Sequence, residues 1–160
     1  MTETNTPTPT PLVARVESDL VRALKGRDQT TLQTLRLLKA AAKNAEIAKR
    51  SQLSEEEYGD VIRHQVKMRR DAATEYEKAG YSDRAEQERA EMAVLQAYLP
   101  AQMDVEAVRE VVRGVIAETA ASGPGDIGKV MSGSMRLLKG KADGATVNSV
   151  AREMLSGQPG

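Results

Sequence analysis

Residues Gly123–Asn148 read GPGDIGKVMSGSMRLLKGKADGATVN, and this stretch sets the pattern for the whole chain. A short segment with apolar residues at helical spacing lies between a Gly-Pro-Gly break and an Asp-Gly turn. Asp126 stands where a helix N-cap is expected, and Gly140 suits the left-handed residue after a helix end. Lysines crowd both ends of the segment. The stretch therefore predicts a short helix between two glycine corners, displaying positive charge.

The composition excludes several classes of protein. The 160 residues carry 23 basic and 23 acidic side chains, so no global charge attracts nucleic acid or membranes. Cysteine is absent, which excludes disulfides, thiolate metal sites and cysteine nucleophiles. No apolar run approaches the roughly 20 residues of a membrane span, and the N-terminus lacks the basic start and apolar core of a signal peptide. We therefore expect a cytoplasmic protein with no membrane attachment.

Apolar spacing and capping residues divide the chain into a tail and two helical parts. Residues 1–11, rich in Thr and Pro, cannot bury apolar surface and are predicted to be disordered. Residues 12–99 are predicted to form a four-helix N-terminal domain. Leu99-Pro100 interrupts the helical pattern, and residues 100–156 are predicted to form a compact three-helix C-terminal domain. No segment alternates like a strand, so the predicted fold is all-α.

Individual helices carry their own start signals. Asp28, Ser54, Ser82 and Asp104 each stand where an N-cap is expected, and Ser54 with Glu57 forms a capping box. The helix that Ser54 opens is predicted to bury a row of residues on one face: Tyr58, Val61, Ile62, Gln65, Met68, Ala72 and Tyr76.

Two groups of basic residues are candidate phosphate-binding surfaces, although most such groups are simply solvated helix faces. The first surrounds the central helix and consists of Lys129, Arg136, Lys139 and Lys141. Nearby glycines would let backbone N–H groups approach a phosphate closely. The second is a narrow sector of the second helix and consists of Arg36, Lys39, Lys43 and Arg50.

No catalytic frame is found. Gly123–Lys129 has the skeleton of a phosphate-cradling loop, but Val130 stands where a magnesium-binding hydroxyl is needed and no strand precedes it. His64 is the only histidine, and we expect it to be exposed and paired with Asp60. We therefore predict no catalytic residue, no cofactor and no metal.

Five stretches, in this order, resemble the GatB/YqeY family over about residues 12–156. They are LRLLKAAAKNAEI (35–47), KMRRDA (67–72), YLP (98–100), DIGKVM (126–131) and GKADG (140–144). The resemblance implies an all-helical fold. It also implies similarity to the C-terminal tail of the B subunit of the glutamine-dependent amidotransferase that produces Gln-tRNA or Asn-tRNA, in which the tail grips the body of the tRNA.

The same resemblance implies a tRNA-binding module that works with a tRNA amidotransferase, a carbon–nitrogen ligase with glutamine as amido-N-donor, or with aminoacyl-tRNA synthetase components. The catalytic domain of the B subunit has no counterpart here, so the isolated chain is predicted to lack catalysis. Lys141 stands where the family often has arginine, which weakens any bidentate phosphate grip. The alternative is a helical protein–protein adaptor that does not bind RNA. An enzyme in its own right is disfavoured.

Overall fold

The computed structural model describes residues 8–157, which form seven α-helices, one 3₁₀ turn and no β-strand. The helices are α1 (Pro11–Lys25), α2 (Gln29–Lys49), α3 (Glu55–Lys78), α4 (Ser82–Gln96), α5 (Val105–Thr119), α6 (Ile127–Leu138) and α7 (Gly144–Leu155). The 3₁₀ turn, Pro124–Asp126, leads directly into α6. The all-α prediction is confirmed, with four helices before the Leu99-Pro100 junction and three after it.

The chain divides into two compact units, the first ending at Leu99 and the second beginning at Pro100. That residues 12–99 and 100–156 are separate domains stays a prediction. Of the predicted tail, residues 1–7 lie outside the described residues. Pro11 already belongs to α1, since the side chain of Thr10 caps that helix by accepting a hydrogen bond from the backbone N–H of Val13 at 3.4 Å.

In the first unit, α2 packs against the other three helices and α4 packs along α3. Gly80 makes the tight α3–α4 connection in the left-handed conformation, with φ of 83°. The N–H of Tyr81 donates to the carbonyl of Tyr76 at 2.8 Å, which closes a Schellman turn. The core consists of Val16, Leu35, Leu38, Ala42, Tyr58, Ile62, Val66, Leu95 and Tyr98.

In the second unit, α5, α6 and α7 all contact one another. The valines of α5 supply one wall of the core, which consists of Val108, Val112, Val115, Val130, Leu138, Ala142, Val147, Val150, Ala151 and Leu155. Gly133 of α6 lies so close to α5 that a Cβ atom there would be 2.7 Å from Cγ1 of Val115. The close approach of α5 and α6 therefore depends on the glycine.

Three of the predicted N-caps are confirmed. Asp28 accepts from the N–H of Thr31 at 3.1 Å, and Asp104 accepts from the N–H of Ala107 at 2.8 Å. The capping box of Ser54 is present in both directions. The prediction for Ser82 is wrong: Ser82 is the first residue of α4, and Tyr81 precedes it without a side-chain cap. The Schellman turn ends at Tyr81, so the helix starts without a separate capping residue.

The predicted inward face of α3 is partly wrong. Met68 is 51% exposed, and Val61, Gln65, Ala72 and Tyr76 are only half-buried. The fully buried residues of α3 are Tyr58, Gly59, Ile62, Val66, Arg69 and Ala73. Because α4 packs along α3, the buried face is rotated away from the apolar stripe and includes a charged side chain.

None of the helices in residues 8–157 has the length and apolar character needed to cross a membrane.

Candidate nucleic-acid interface

The segment before α6 is a turn that is closed by a hydrogen bond to the carboxylate of Asp126. The backbone N–H of Ser122 donates to the carboxylate of Asp126 at 2.8 Å, and the N–H of Asp126 donates to the carbonyl of Gly123 at 2.9 Å. Asp126 is the N-cap residue of α6 as predicted, but its side chain does not cap the first turn: a 3₁₀ turn leads into α6, and the carboxylate accepts from Ser122 instead. This hydrogen bond, helped by Lys129, lowers the pKa of Asp126 below its usual value.

Lys129 lies within this acidic neighbourhood. Its ammonium nitrogen is 3.4 Å from the carboxylate of Asp126, and both side chains are partly exposed. The carboxylate places a negative charge beside Lys129, which is unfavourable for a phosphate there. Of the four predicted cations of this unit, Lys129 is thus the one that already has an ion partner.

Three predicted cations lie together at the other end of α6. Arg136 is in the last turn, Lys139 is the C-cap, and Lys141 follows Gly140, whose φ of 78° is left-handed as predicted. All three cations are exposed and have no ion partner within residues 8–157. The carbonyl end of α6 is the negative end of its dipole and favours cations there.

The four residues do not form a single cluster. Lys129 and Lys139 are ten residues apart, about 15 Å along the helix axis. Lys129 and Arg136 lie seven residues apart and thus on the same side of α6. The structure therefore offers a three-cation surface, formed by Arg136, Lys139 and Lys141, with Lys129 two turns away along one side.

On α2 the predicted sector is also exposed, but its members differ. Lys39 is paired with Glu17, with 2.8 Å between nitrogen and oxygen. Arg36 and Lys43 have no ion partner among the described residues. Arg50 is not part of the helical row, since it is the left-handed C-cap with φ of 62°. Two free cations, two helical turns apart, remain on this face.

The sequence patterns did not reveal Arg69, the buried cation of the first unit. Its exposure is 7%, and its Nε atom donates to Glu91 of α4 at 3.2 Å. The same guanidinium also donates to the backbone and side-chain oxygens of Gln65 at 3.3 and 2.9 Å. A signal for the burial of Arg69 is present in the sequence. Arg69, within the KMRRDA stretch, lies seven residues after Ile62 and three after Val66, so it shares a helix face with them. The ion pair of Arg69 and Glu91 joins α3 to α4, so the guanidinium of Arg69 is not available to a ligand.

A polar network also surrounds Tyr98, in the YLP stretch. The guanidinium carbon of Arg15 lies 4.7 Å from the ring centroid, and Arg15 also donates to the carbonyl of Ala97 at 3.1 Å. The network borders an open pocket of about 440 Å³ lined by Arg15, Asp19, Arg22, Ala23, Gly26, Asp28, Thr31, Val94, Ala97 and Tyr98. Asp19 pairs with Arg22, Arg15 donates to Ala97, and Asp28 accepts from Thr31, which indicates a structural role.

The remaining candidate group is the single histidine of the sequence. His64 is exposed as predicted, but Asp60 pairs with Arg63 at 2.5 Å, so the predicted His64–Asp60 pair is wrong. Arg63 reaches Asp60 from three residues away on the same helix. In the part of the chain that the structure describes, no three acidic or histidine side chains could hold a metal ion together.

A sequence profile described as Yqey-like protein matches residues 13–155, which is most of the chain. The chain belongs to the Yqey-like protein family. This confirms the YqeY part of the resemblance. The link to the amidotransferase B subunit rests on the five quoted stretches alone.

Two curated relatives of the Yqey-like chain are fungal proteins, both named altered inheritance of mitochondria protein 41, mitochondrial. The one from Eremothecium gossypii is 33% identical over 93 residues, which is 58% of this chain and 51% of that protein. The one from Pyrenophora tritici-repentis is 27% identical over 134 residues, which is 82% of this chain and 73% of that protein. The match to the first relative thus spans about half of its length. The names of these two relatives refer to mitochondria. The cytoplasmic location of this chain stays a prediction.

Proposed function

We propose that this Yqey-like protein binds tRNA through the three-cation surface at the C-terminal end of α6. The observation that carries the proposal is that Arg136, Lys139 and Lys141 are exposed within six residues and lack ion partners among the described residues. Phosphate oxygens are the natural ligands for unpaired lysine and arginine side chains on a surface. Gly140, which has no side chain, leaves the backbone beside them open to close approach.

The contacts are to phosphate and to RNA shape. The chain contains no Phe or Trp and four Tyr, and two of these, Tyr58 and Tyr98, are buried in the first unit. Stacking of unpaired bases on aromatic rings, the usual means of reading RNA sequence, therefore contributes little at this surface. With no net charge on the chain, the affinity is modest and depends strongly on salt.

The protein positions tRNA for a glutamine-dependent amidotransferase, or for an aminoacyl-tRNA synthetase, and does not carry out the amidation. Support for this partnership comes from the five stretches that resemble the B-subunit tail. The turn at Ser122–Asp126 supports a role without ATP chemistry, because the Asp126 carboxylate lies within the Gly123–Lys129 loop and would repel the phosphates of a nucleotide there.

Salt-dependent binding of tRNA tests the proposal. Each phosphate contact adds roughly −0.7 to −0.9 to the slope of log affinity against log salt, so three contacts give a slope of about −2 to −3. Lys139→Glu together with Lys141→Glu should weaken binding at low salt and make the slope less negative by about 1.5. The matched control is Arg36→Glu with Lys43→Glu, which reverses two free cations on α2 and should leave the slope unchanged.

Two outcomes would contradict the proposal. If the α2 control loses binding while the α6 variant keeps it, the RNA site lies on α2. If the unaltered protein shows no salt-dependent binding to any tRNA, the adaptor interpretation remains.

A further inference from the structure

One exposed strip of α2 has the spacing of a helix-packing surface. Its members follow one another at steps of four, three, four and three residues: Gln33, Leu37, Ala40, Asn44 and Ile47. All five are exposed, and the two large members are the most notable, with Leu37 55% and Ile47 64% exposed. Alternating steps of three and four are those by which a helix presents a continuous row to a second helix. We call this row the α2 strip.

The α2 strip lies opposite the buried side of the same helix. At about 100° per residue, the strip is centred roughly 180° from the buried positions of α2. Those positions, Leu32, Leu35, Leu38 and Ala42 among them, face the helices of the first unit. The strip therefore takes no part in the core, and the fold itself gives no reason for Leu37 and Ile47 to be apolar.

The charges beside the strip are of one sign. Arg36 and Lys43 flank it on one side, and neither has an ion partner within residues 8–157. The single acidic residue of α2 is Glu46, which is half-buried and lies beyond this cationic edge, about 140° from the strip centre. On the other edge stand Ala41 and Ala48, which are small and uncharged.

We propose that the α2 strip binds an amphipathic helix of a partner protein, with acidic residues along the edge that meets Arg36 and Lys43. The apolar side chains of the partner pack between Leu37 and Ile47, which lie about 15 Å apart along the helix axis. Ala40, between them, leaves room for these side chains to enter as knobs into holes. The complementary charges set the orientation of the partner and exclude basic helices.

Two other occupants fit the strip less well. RNA phosphates would meet Arg36 and Lys43, but they offer nothing that would bury Leu37 and Ile47. A second copy of the chain, packed antiparallel on the same strip, would bring the two cationic edges together, which is unfavourable. An acidic protein helix satisfies both the apolar row and its charged edge.

The test uses the full chain and two designed helical peptides in fluorescence anisotropy. One peptide has Leu at alternating steps of three and four with Glu along both edges, and the second has Lys in place of every Glu. We expect the acidic peptide to bind at least about tenfold more tightly than the basic one. Leu37→Ser with Ile47→Ser should reduce acidic-peptide binding by at least about tenfold, since the apolar anchors are lost. The matched control, Leu24→Ser, alters a leucine that is 54% exposed on α1 and should change nothing.

A charge-reversal variant tests the proposal independently of the substitutions at Leu37 and Ile47. Arg36→Glu with Lys43→Glu should invert the preference, so that the basic peptide binds more tightly. Equal binding of the two peptides, no binding of either, or unaltered binding by the Leu37/Ile47 variant would overturn the proposal. So would loss of tRNA binding or of self-association in the Leu37/Ile47 variant, because the strip would then belong to RNA or to a second copy. The result is separate from the RNA test, which depends on Lys139 and Lys141.

Discussion

The phenolic oxygen of Tyr98 donates a 2.6 Å hydrogen bond to the carboxylate of Asp19, which joins residues 79 positions apart in the chain. Tyr98 is 8% exposed and follows α4, whereas Asp19 is in the middle of α1. Arg22 lies 3.2 Å from the same carboxylate. This bond therefore fastens the first helix to the last segment of the first unit.

Tyr98→Phe should lower the free energy of unfolding by about 1 to 2 kcal/mol, because a hydrogen bond to a charged acceptor is lost while the ring stays packed. Urea unfolding followed by circular dichroism measures the change. The control is Tyr81→Phe, which alters a ring that is 58% exposed and should leave the stability within about 0.5 kcal/mol. If Tyr98→Phe is as stable as the unaltered protein, contacts of Asp19 with water and with Arg22 replace the lost hydrogen bond.

Alkaline pH should weaken the first unit. Burial, with the hydrogen bond to Asp19, raises the pKa of Tyr98, and burial raises the pKa of Tyr58 to about 12. In the unfolded chain both phenols titrate near 10. Their contribution to stability is thus complete below about pH 10 and is lost as the pH rises through the raised folded-state values. The unfolding midpoint in urea should fall between about pH 10 and 12, and less steeply in Tyr98→Phe and Tyr58→Phe.

The buried pair of Arg69 and Glu91 should be sensitive to the loss of one partner. Their side chains are 8% and 17% exposed, so Arg69→Met leaves a largely buried carboxylate without its cation. We expect a loss of about 3 kcal/mol in the free energy of unfolding. Adding Glu91→Leu should recover most of this loss, since an apolar pair can replace a buried ion pair.

The control for that pair lies two residues away. Lys67 and Asp71 form an ion pair at 2.8 Å with side chains 69% and 62% exposed. Lys67→Met should change the free energy of unfolding by less than about 0.5 kcal/mol. A similar loss in both variants would mean that the effect comes from the helix surface and not from the buried charge.

Local signals explain why much of the fold could be predicted. Asp28, Ser54 and Asp104 cap helices through bonds to N–H groups three residues away, so the sequence alone specifies them. Ser82 and Asp126 have the same chemistry but fail, because the turns before them set where the next helix begins. A cap is thus predictable only when the incoming chain leaves its side chain free.

The helix end that carries Lys139 and Lys141 could be predicted from the sequence, whereas the ion pairs of the other candidate residues could not. Lys139 and Lys141 stand by a glycine that the sequence marks as a helix end, and the structure places them there. The pairing of Lys39 with Glu17 joins two different helices and has no local signal. The burial of Arg69 is likewise tertiary, since its partner Glu91 lies 22 residues away.

Ser134 has a buried hydroxyl with no hydrogen-bond partner within residues 8–157, and its removal should stabilise the second unit. Ser134→Ala removes a polar group that is 0% exposed, which we expect to raise the free energy of unfolding by about 1 kcal/mol beyond the gain from helix propensity. Ser132→Ala, at an exposed position of the same helix, measures that propensity gain alone at about 0.5 kcal/mol. If Ser134→Ala and Ser132→Ala change the stability equally in thermal unfolding, the buried hydroxyl of Ser134 does not destabilise the second unit.

Gly133 and Gly128 should respond in opposite ways to the same substitution, although both belong to α6. A Cβ atom at Gly133 would be 2.7 Å from Cγ1 of Val115, so Gly133→Ala forces the Val115 side chain or the two helices to shift and should cost about 1 to 3 kcal/mol. At Gly128 no atom lies within 4 Å of the new Cβ, so Gly128→Ala should stabilise by about 0.5 to 1 kcal/mol through helix propensity.

A double variant tests whether the cost of Gly133→Ala comes from its contact with Val115. Val115→Ala removes the Cγ1 atom that the new Cβ would meet, at the cost of a cavity in the core. Gly133→Ala in that background should therefore cost at least about 1 kcal/mol less than in the natural chain. Chemical unfolding of the four proteins of this cycle gives the coupling energy directly. Additive effects would show that the clash is relieved elsewhere, and that the close approach of α5 and α6 does not depend on the glycine.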